Sequence, residues 1–242
     1  MIKSRQEIKL QARESLKLNG NRGTAIAMIL IYMVTASIPM YFITPLIGGI
    51  GELIADQVVS LFMMVVLIGM YGAFMKIYKE EKPSIGEMFS GFEFFGRNIL
   101  TILYMFLLLF LWAIPFLIPA IIFLVLTGNM DLYIVIVILS IIPIIIHRTL
   151  AYYATLFILS ESKEIGVTAT INLSKRITEG HKMDIFVMHL SFIGWYILGI
   201  FTCGILWLVF VMPYHYTAMS GLYMEMRDEA IASYRITAEE LN

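Results

Sequence analysis

Charge is the first thing this sequence lacks. Only 14% of its 242 residues are Asp, Glu, Lys or Arg, while 60% are hydrophobic and the mean hydropathy is +0.84. Soluble domains carry about 25% charged residues. One soluble core cannot absorb so much apolar surface at this length, whereas lipid can. Cysteine is nearly absent as well. Cys203 stands alone, which excludes an intramolecular disulfide, and no Cys/His pattern has zinc-site spacing. The net charge of −1 gives no global attraction to nucleic acid, and no such partner is expected. Acidic residues are missing from the apolar runs altogether, so paired intramembrane aspartates are excluded. There is no His-Glu-x-x-His and no Gly-x-Ser-x-Gly. His189 and Ser191 share a run, but at i, i+2 they point to different helix faces. The expectation is a protein that is not an enzyme and holds no cofactor or metal.

What is present is a set of long apolar runs. Each must be helical, because bare backbone cannot face lipid. The expected fold is an all-α membrane protein, one polytopic domain over 1–242, with spans at about 24–44, 57–78, 99–126, 132–160, 185–201 and 204–224. The last two are nearly continuous. A single helix through 185–224 would be about 60 Å long, twice the membrane thickness, so a tight hairpin is expected at Phe201-Thr202-Cys203-Gly204. Val34-Thr35-Ala36 has the small residues of a signal cleavage site. The apolar run continues past it to Phe42, however, and the stretch 1–23 contains Glu7 and Glu14, so a retained first span is expected.

Basic residues test this count, since they favour cytoplasmic loops. Lys3, Arg5, Lys9, Arg13, Lys17 and Arg22 precede the first span. Lys76, Lys79, Lys82 and Arg97 surround the second connection. Lys163, Lys175, Arg176 and Lys182 surround the fourth, and Arg227 and Arg235 lie in the tail. The connections at 45–57, 127–131 and 201–204 have no Lys or Arg. All basic residues but Arg148 therefore fall on one side, which predicts six crossings with both termini cytoplasmic.

The basic connections are themselves patterned. In 4–19, Ile8, Ala12 and Leu16 recur every four residues. In 84–96, Ile85, Met88, Phe89, Phe92 and Phe95 share a helical face behind a Ser84/Glu87 capping box. In 163–179, Ile165, Ala169, Leu173 and Ile177 form a stripe. Each stretch predicts an amphipathic helix on the membrane surface that stops at a glycine: Gly20, Gly96 and Gly180. The plan is three units, each a surface helix followed by a transmembrane hairpin.

Arg148 is the outlying charge, inside 132–160 and next to His147. Two placements are open. It snorkels to lipid phosphates near the interface, or it lies deep beside a partner such as Glu161, Glu225, a carbonyl or a headgroup. Candidate residues for an anionic ligand or lipid headgroup are Arg148, His147, Glu161 and His215. Candidate cytoplasmic contact residues are Lys175, Arg176, His181 and Lys182. The histidines have no i, i+4 pairing, so interhelical hydrogen bonds account for them better than a metal or proton relay. Pro39, Pro115, Pro119, Pro143 and Pro213 fall within spans and predict kinks.

A resemblance follows from particular residues. The stretch Asn172-Leu173-Ser174, Glu179-Gly180-His181-Lys182, Phe186, Leu190-Ser191-Phe192-Ile193-Gly194-Trp195, Gly204-Ile205 and Met212-Pro213-Tyr214 resembles the uncharacterised bacterial membrane-protein family of domain of unknown function 975 (DUF975). The opening Ala12-Arg13-Glu14-Ser15-Leu16 and Gly20-Asn21 is similar to it too. The resemblance implies a bacterial plasma-membrane location and supplies no reaction. A looser likeness, carried by Arg148, Glu161 and Ser174 in that order, reaches the membrane domain of glycerophosphodiester phosphodiesterases. Their catalytic domain has no counterpart here.

The leading expectation is a non-enzymatic membrane-organising or accessory protein. It would act through its surface helices and basic face on the lipid bilayer, anionic phospholipid headgroups and a membrane-protein partner. The alternative is a small permease or lipid-handling protein binding an anionic group near Arg148. A polar cavity around Arg148 would separate the two.

Overall fold

A computed structural model describes residues 3–241, apart from the side chains of 40 and 43–45. Among the described residues ten α-helices follow in chain order: α1 Arg5–Ser15, α2 Asn21–Ile38, α3 Thr44–Ile47, α4 Gly49–Tyr78, α5 Phe95–Thr127, α6 Met130–Ala151, α7 Thr155–Glu161, α8 Val167–Thr178, α9 Lys182–Phe201 and α10 Met212–Ala232. A 3₁₀ helix over Ile85–Phe94 leads into α5, and π turns occupy Pro39–Ile43 and Trp207–Val211. No strand occurs among the described residues. The protein is all-α.

Five helical stretches among the described residues are long and apolar enough to cross a membrane: Asn21–Ile38, Gly49–Tyr78, Ile85–Thr127, Met130–Glu161 and Lys182–Phe201. The sixth expected span is not among them. Its helix restarts at Ile205 after the turn at Thr202–Gly204 and runs through the π turn into α10. Tyr214, His215, Tyr216, Thr217 and Ser220 dilute its hydropathy. Thr217 and Ser220 are tolerated because neighbouring helices bury the whole of 217–224, and Tyr214, His215 and Tyr216 are half-buried. A polar side chain in such a helix can hydrogen-bond to protein instead of facing lipid. Thr217 Oγ1, for example, donates to the Pro213 carbonyl at 2.7 Å.

Two other boundaries differ from expectation. Most of the connection at 45–57 is helical, because α4 begins at Gly49. At about 45 Å it exceeds the hydrocarbon core, and Glu52 and Asp56 ride on its first turns. The stretch 132–160 is not one rod. It breaks at Tyr152–Ala154, between α6 and α7. The break exposes the Ala151 carbonyl, which accepts from Ser174 Oγ at 3.1 Å and Thr178 Oγ1 at 3.2 Å on α8.

All three amphipathic segments form, and the apolar stripes of the first and third are largely covered by protein. Ile8 and Ala12 are fully buried on the ends of α4 and α10, and the capping box that starts α1 closes through Glu7 and Ser4. Burying one isoleucine stabilises by about 2 kcal/mol. Ser15 Oγ then donates to the Tyr78 carbonyl at 3.2 Å. The second segment is 3₁₀, so its buried face repeats every three residues through Met88 and Gly91 and leaves Phe89 exposed, while Ile85, at the segment's open first turn, is exposed as well. Gly91 lies on α4 so closely that a Cβ there would collide with the Val65 carbonyl. The third segment turns Thr170, Ser174 and Thr178 inward beside Leu173 and Ile177, and Ala169 faces out. Gly20 and Gly180 end their segments in the left-handed region, at φ 74° and 83°. Gly96 does not. It lies inside α5, and the chain bends instead at Phe94.

Arg97 locks this collar. Its terminal nitrogens donate to the carbonyls of Ser162 at 2.8 Å and Leu159 at 3.0 Å. These are among the carbonyls left unpaired where α7 ends. The basic connections thus form a packed layer at one end of the bundle.

Candidate functional site

The end of α6 builds the site. Because α6 stops at Ala151, Arg148 is one turn from a helix end, with its carbonyl still accepting from Tyr152 N–H at 3.1 Å. The guanidinium lies over the Trp112 ring of α5, 3.4 Å from guanidinium carbon to centroid. Such a contact is worth about 1 kcal/mol and holds the planar fork in a fixed orientation. Beside it, α8 brings Lys175, whose ammonium lies 5.7 Å from the Tyr152 ring centroid. The first residue of α9, Lys182, closes the third side, with Nζ 3.0 Å from His147 Nε2. An ammonium only donates, so Nε2 accepts.

The result is an open groove of about 490 Å³ lined by Arg148, Ala151, Lys175, Glu179, Lys182 and Met183, among others. Among the described residues, no carboxylate forms a salt bridge with Arg148, Lys175 or Lys182. The N-terminus of α9 starts at Lys182 with no side-chain cap, so its dipole adds positive potential. Three cations on three helices, one of them a fork pre-oriented on an indole, give the groove a donor set of the chemistry that pairs with oxyanions.

The other expected site residues lie elsewhere. Arg176 reaches the rim but is engaged by the tail. Its Nη1 donates to Glu240 at 2.6 Å and its Nε to the Arg235 carbonyl at 2.8 Å. His181 bridges Asp184 at 3.3 Å and Glu229 at 3.2 Å, away from the groove. Glu161 pairs with Arg227 and accepts from the Tyr223 hydroxyl at 2.8 Å. Glu225 pairs with Lys3 at 2.7 Å, so neither carboxylate serves Arg148. His215 is inside the bundle, 3.2 Å from both His189 and Tyr196. Sequence reasoning missed Trp112 as a site residue. It is 36 positions from Arg148, and no local pattern links them.

Arg176 gives a pH prediction. Its hydrogen bond, followed by that of Thr237 N–H, holds the Glu240 carboxyl below its ordinary value of 4.5. A depressed carboxylate stabilises fully above its unfolded pKa, and the contribution disappears as pH falls through the lower folded value. A nitroxide on Ala238→Cys, in a Cys203→Ser background, is expected to sharpen as pH drops below 4.5. Glu240→Gln should give the sharp spectrum at every pH. A pH-independent broad line in the unsubstituted tail would refute the latch.

A family model described as Protein of unknown function (DUF975) matches residues 1–230. The chain belongs to that family. The match takes in every element of the groove of this DUF975 chain, from Trp112 to Lys182. No curated protein and no solved structure matches it.

Proposed function

We propose that this is a non-enzymatic lipid-handling protein of the bacterial plasma membrane, with six crossings, its basic end in the cytoplasm and an anionic phospholipid headgroup held by Arg148, Lys175 and Lys182. The observation that carries the reading is the unpaired cationic groove at a helix end. Two of the three amphipathic stripes that a membrane-organising role would draw on pack largely against the protein's own helices, while Ile85, Phe89 and Phe95 of the other stay exposed, so the Arg148 groove supports the lipid-handling reading better. Basic residues near an anionic surface contribute about 1 kcal/mol each. Removing two of them should cost about 2 kcal/mol, roughly thirtyfold in affinity.

The test is native mass spectrometry of the full chain extracted in mild detergent from a phosphatidylglycerol-containing membrane. The Arg148→Ala, Lys175→Ala double variant is expected to retain one fewer anionic lipid per chain while its helical circular dichroism and melting are unchanged. Equal retention in the two proteins would remove the argument. Arg176→Glu is the wrong probe, because it would release the tail.

A further inference from the structure

The helix that follows the turn at Thr202–Gly204 contains Pro213, which has no N–H for the Val209 carbonyl four residues back. Arg22, at the start of α2, supplies the donor instead, with Nε 3.3 Å from that oxygen. This fixes the guanidinium while leaving its two terminal nitrogens free of any carboxylate among the described residues. Arg13 and Lys17, from the end of α1 and the turn after it, join Arg22 around a depression of about 110 Å³ floored by Pro213 and Tyr214. No acidic residue lines it.

An apolar groove of about 1000 Å³ lies between the same two walls, deeper along the bundle. On α2 the path is one stripe. Arg22, Ile26, Leu30, Met33 and Ser37 follow i+4 and i+3 spacing, and each is at least partly accessible. On the opposite wall, Val209 borders the basic depression and Ile205, one turn away, borders the apolar groove. Trp207 and Leu208 complete that wall, and no charged side chain lines the groove. From Arg22 to Ser37 the stripe is about 22 Å long at 1.5 Å per residue.

We infer that α1, α2 and the 205–213 helix form a second lipid site, in which an anionic phospholipid places its phosphate on Arg13, Lys17 and Arg22 and one acyl chain along the apolar groove. Charge complementarity at the mouth selects this occupant. A plain apolar groove would serve any lipid chain or helix, but a cationic end on the same stripe selects an anionic headgroup joined to a hydrocarbon tail. The site shares no residue with the Arg148 groove and does not depend on it.

Trp207 reports occupancy directly. In a full chain carrying Trp112→Phe and Trp195→Phe, reconstituted in phosphatidylcholine nanodiscs, acyl-brominated phosphatidylglycerol is expected to quench Trp207. It should half-saturate at a mole fraction about tenfold lower than brominated phosphatidylcholine. Arg13→Gln, Lys17→Gln and Arg22→Gln together should bring the two lipids level. Val34→Phe, which narrows the groove, should reduce quenching by both. The Arg148→Ala, Lys175→Ala variant should leave the tenfold preference intact, which separates this site from the first. Circular dichroism melts of each variant verify folding, and Arg22→Lys, keeping the charge, should retain most of the preference. Equal quenching by the two lipids in the parent, or a preference that survives the triple variant or is lost with Arg148 and Lys175, would overturn the inference. A dimer in native mass spectra with Trp207 unquenched would assign the groove to a second copy of the chain and overturn it equally.

Discussion

Glu161→Ala is expected to lower stability by about 3 kcal/mol, the scale for removing one partner of a buried pair. The carboxylate ends α7, where the helix dipole disfavours negative charge, so its presence depends on what faces it. Arg227 of α10 forms the ion pair, with side-chain exposures of only 15% and 19%. The hydroxyl of Tyr223, a residue with no exposed surface, donates to the other oxygen at 2.8 Å. Truncation strands that hydroxyl inside the bundle. It does not fully strand Arg227, which keeps two bonds to Asp228 at 2.9 and 2.7 Å. The loss therefore falls at the lower end of the range for broken buried pairs. Glu161→Gln keeps an acceptor for Tyr223 and should cost about half as much. A double-mutant cycle with Arg227→Ala, read by denaturant unfolding in one detergent, should give a coupling of about 1–2 kcal/mol. A coupling near zero would show that the pair is incidental to the α7–α10 contact.

That ion pair marks the line between what the sequence reveals and what it does not. Glu161 and Arg227 are 66 positions apart, and in the sequence Glu161 stands out as a ligand candidate beside Arg148, with nothing that points to Arg227. The features that were legible are those set by local backbone physics and by lipid. Long apolar runs must be helical in hydrocarbon. Ile8 and Ala12 fall on one face at any helical pitch close to 3.6, and Gly20 and Gly180 sit where the chain needs positive φ. What was not legible required knowing the neighbour. Thr170, Ser174 and Thr178 read as polar, yet they face inward because the break after α6 offers them a carbonyl. The pattern of 84–96 predicts an α-helical face, and the segment tightens to 3₁₀ where α4 approaches at Gly69 and Gly91. For the site, Arg148 was found by being the one basic residue out of place. The alternation of charge, however, gives no reason for Lys175 to be free beside it while Arg176 is engaged by the tail. Adjacent residues on a helix point about 100° apart, and only the position of the tail decides which one it captures.

Gly69→Ala is expected to be the other severe substitution, at about 3 kcal/mol. A Cβ on Gly69 would meet the backbone carbonyls of Met88 and Glu87, not a flexible side-chain end, so neither partner can rotate away. Overpacking of a tight contact costs about 1–3 kcal/mol, and a backbone collision belongs at the top of that range. Relief would require lifting the 3₁₀ segment off α4. That would expose Met88, which is fully buried, and pull Gly91 from the Asn98 side chain, whose Nδ2 donates to its carbonyl at 2.7 Å. Gly91→Ala attacks the same contact from the other side and should destabilise to a similar degree, because its Cβ would meet the Val65 carbonyl. The control is Gly23→Ala, inside α2 with nothing within 4 Å of an added Cβ. There the helix preference of alanine should stabilise by about 0.5–1 kcal/mol. The comparison carries over to the groove, since the 3₁₀ segment joins α5 directly at the Phe94 bend and so influences the height of Trp112 under Arg148. In the Gly69→Ala protein, below its melting temperature, the retained anionic lipid should therefore dissociate more readily, whereas in Gly23→Ala it should not. Thermal unfolding and lipid retention measured on the same three preparations decide it. A Gly69→Ala protein as stable as the Gly23→Ala control would mean that α4 and the 3₁₀ segment do not approach at these glycines.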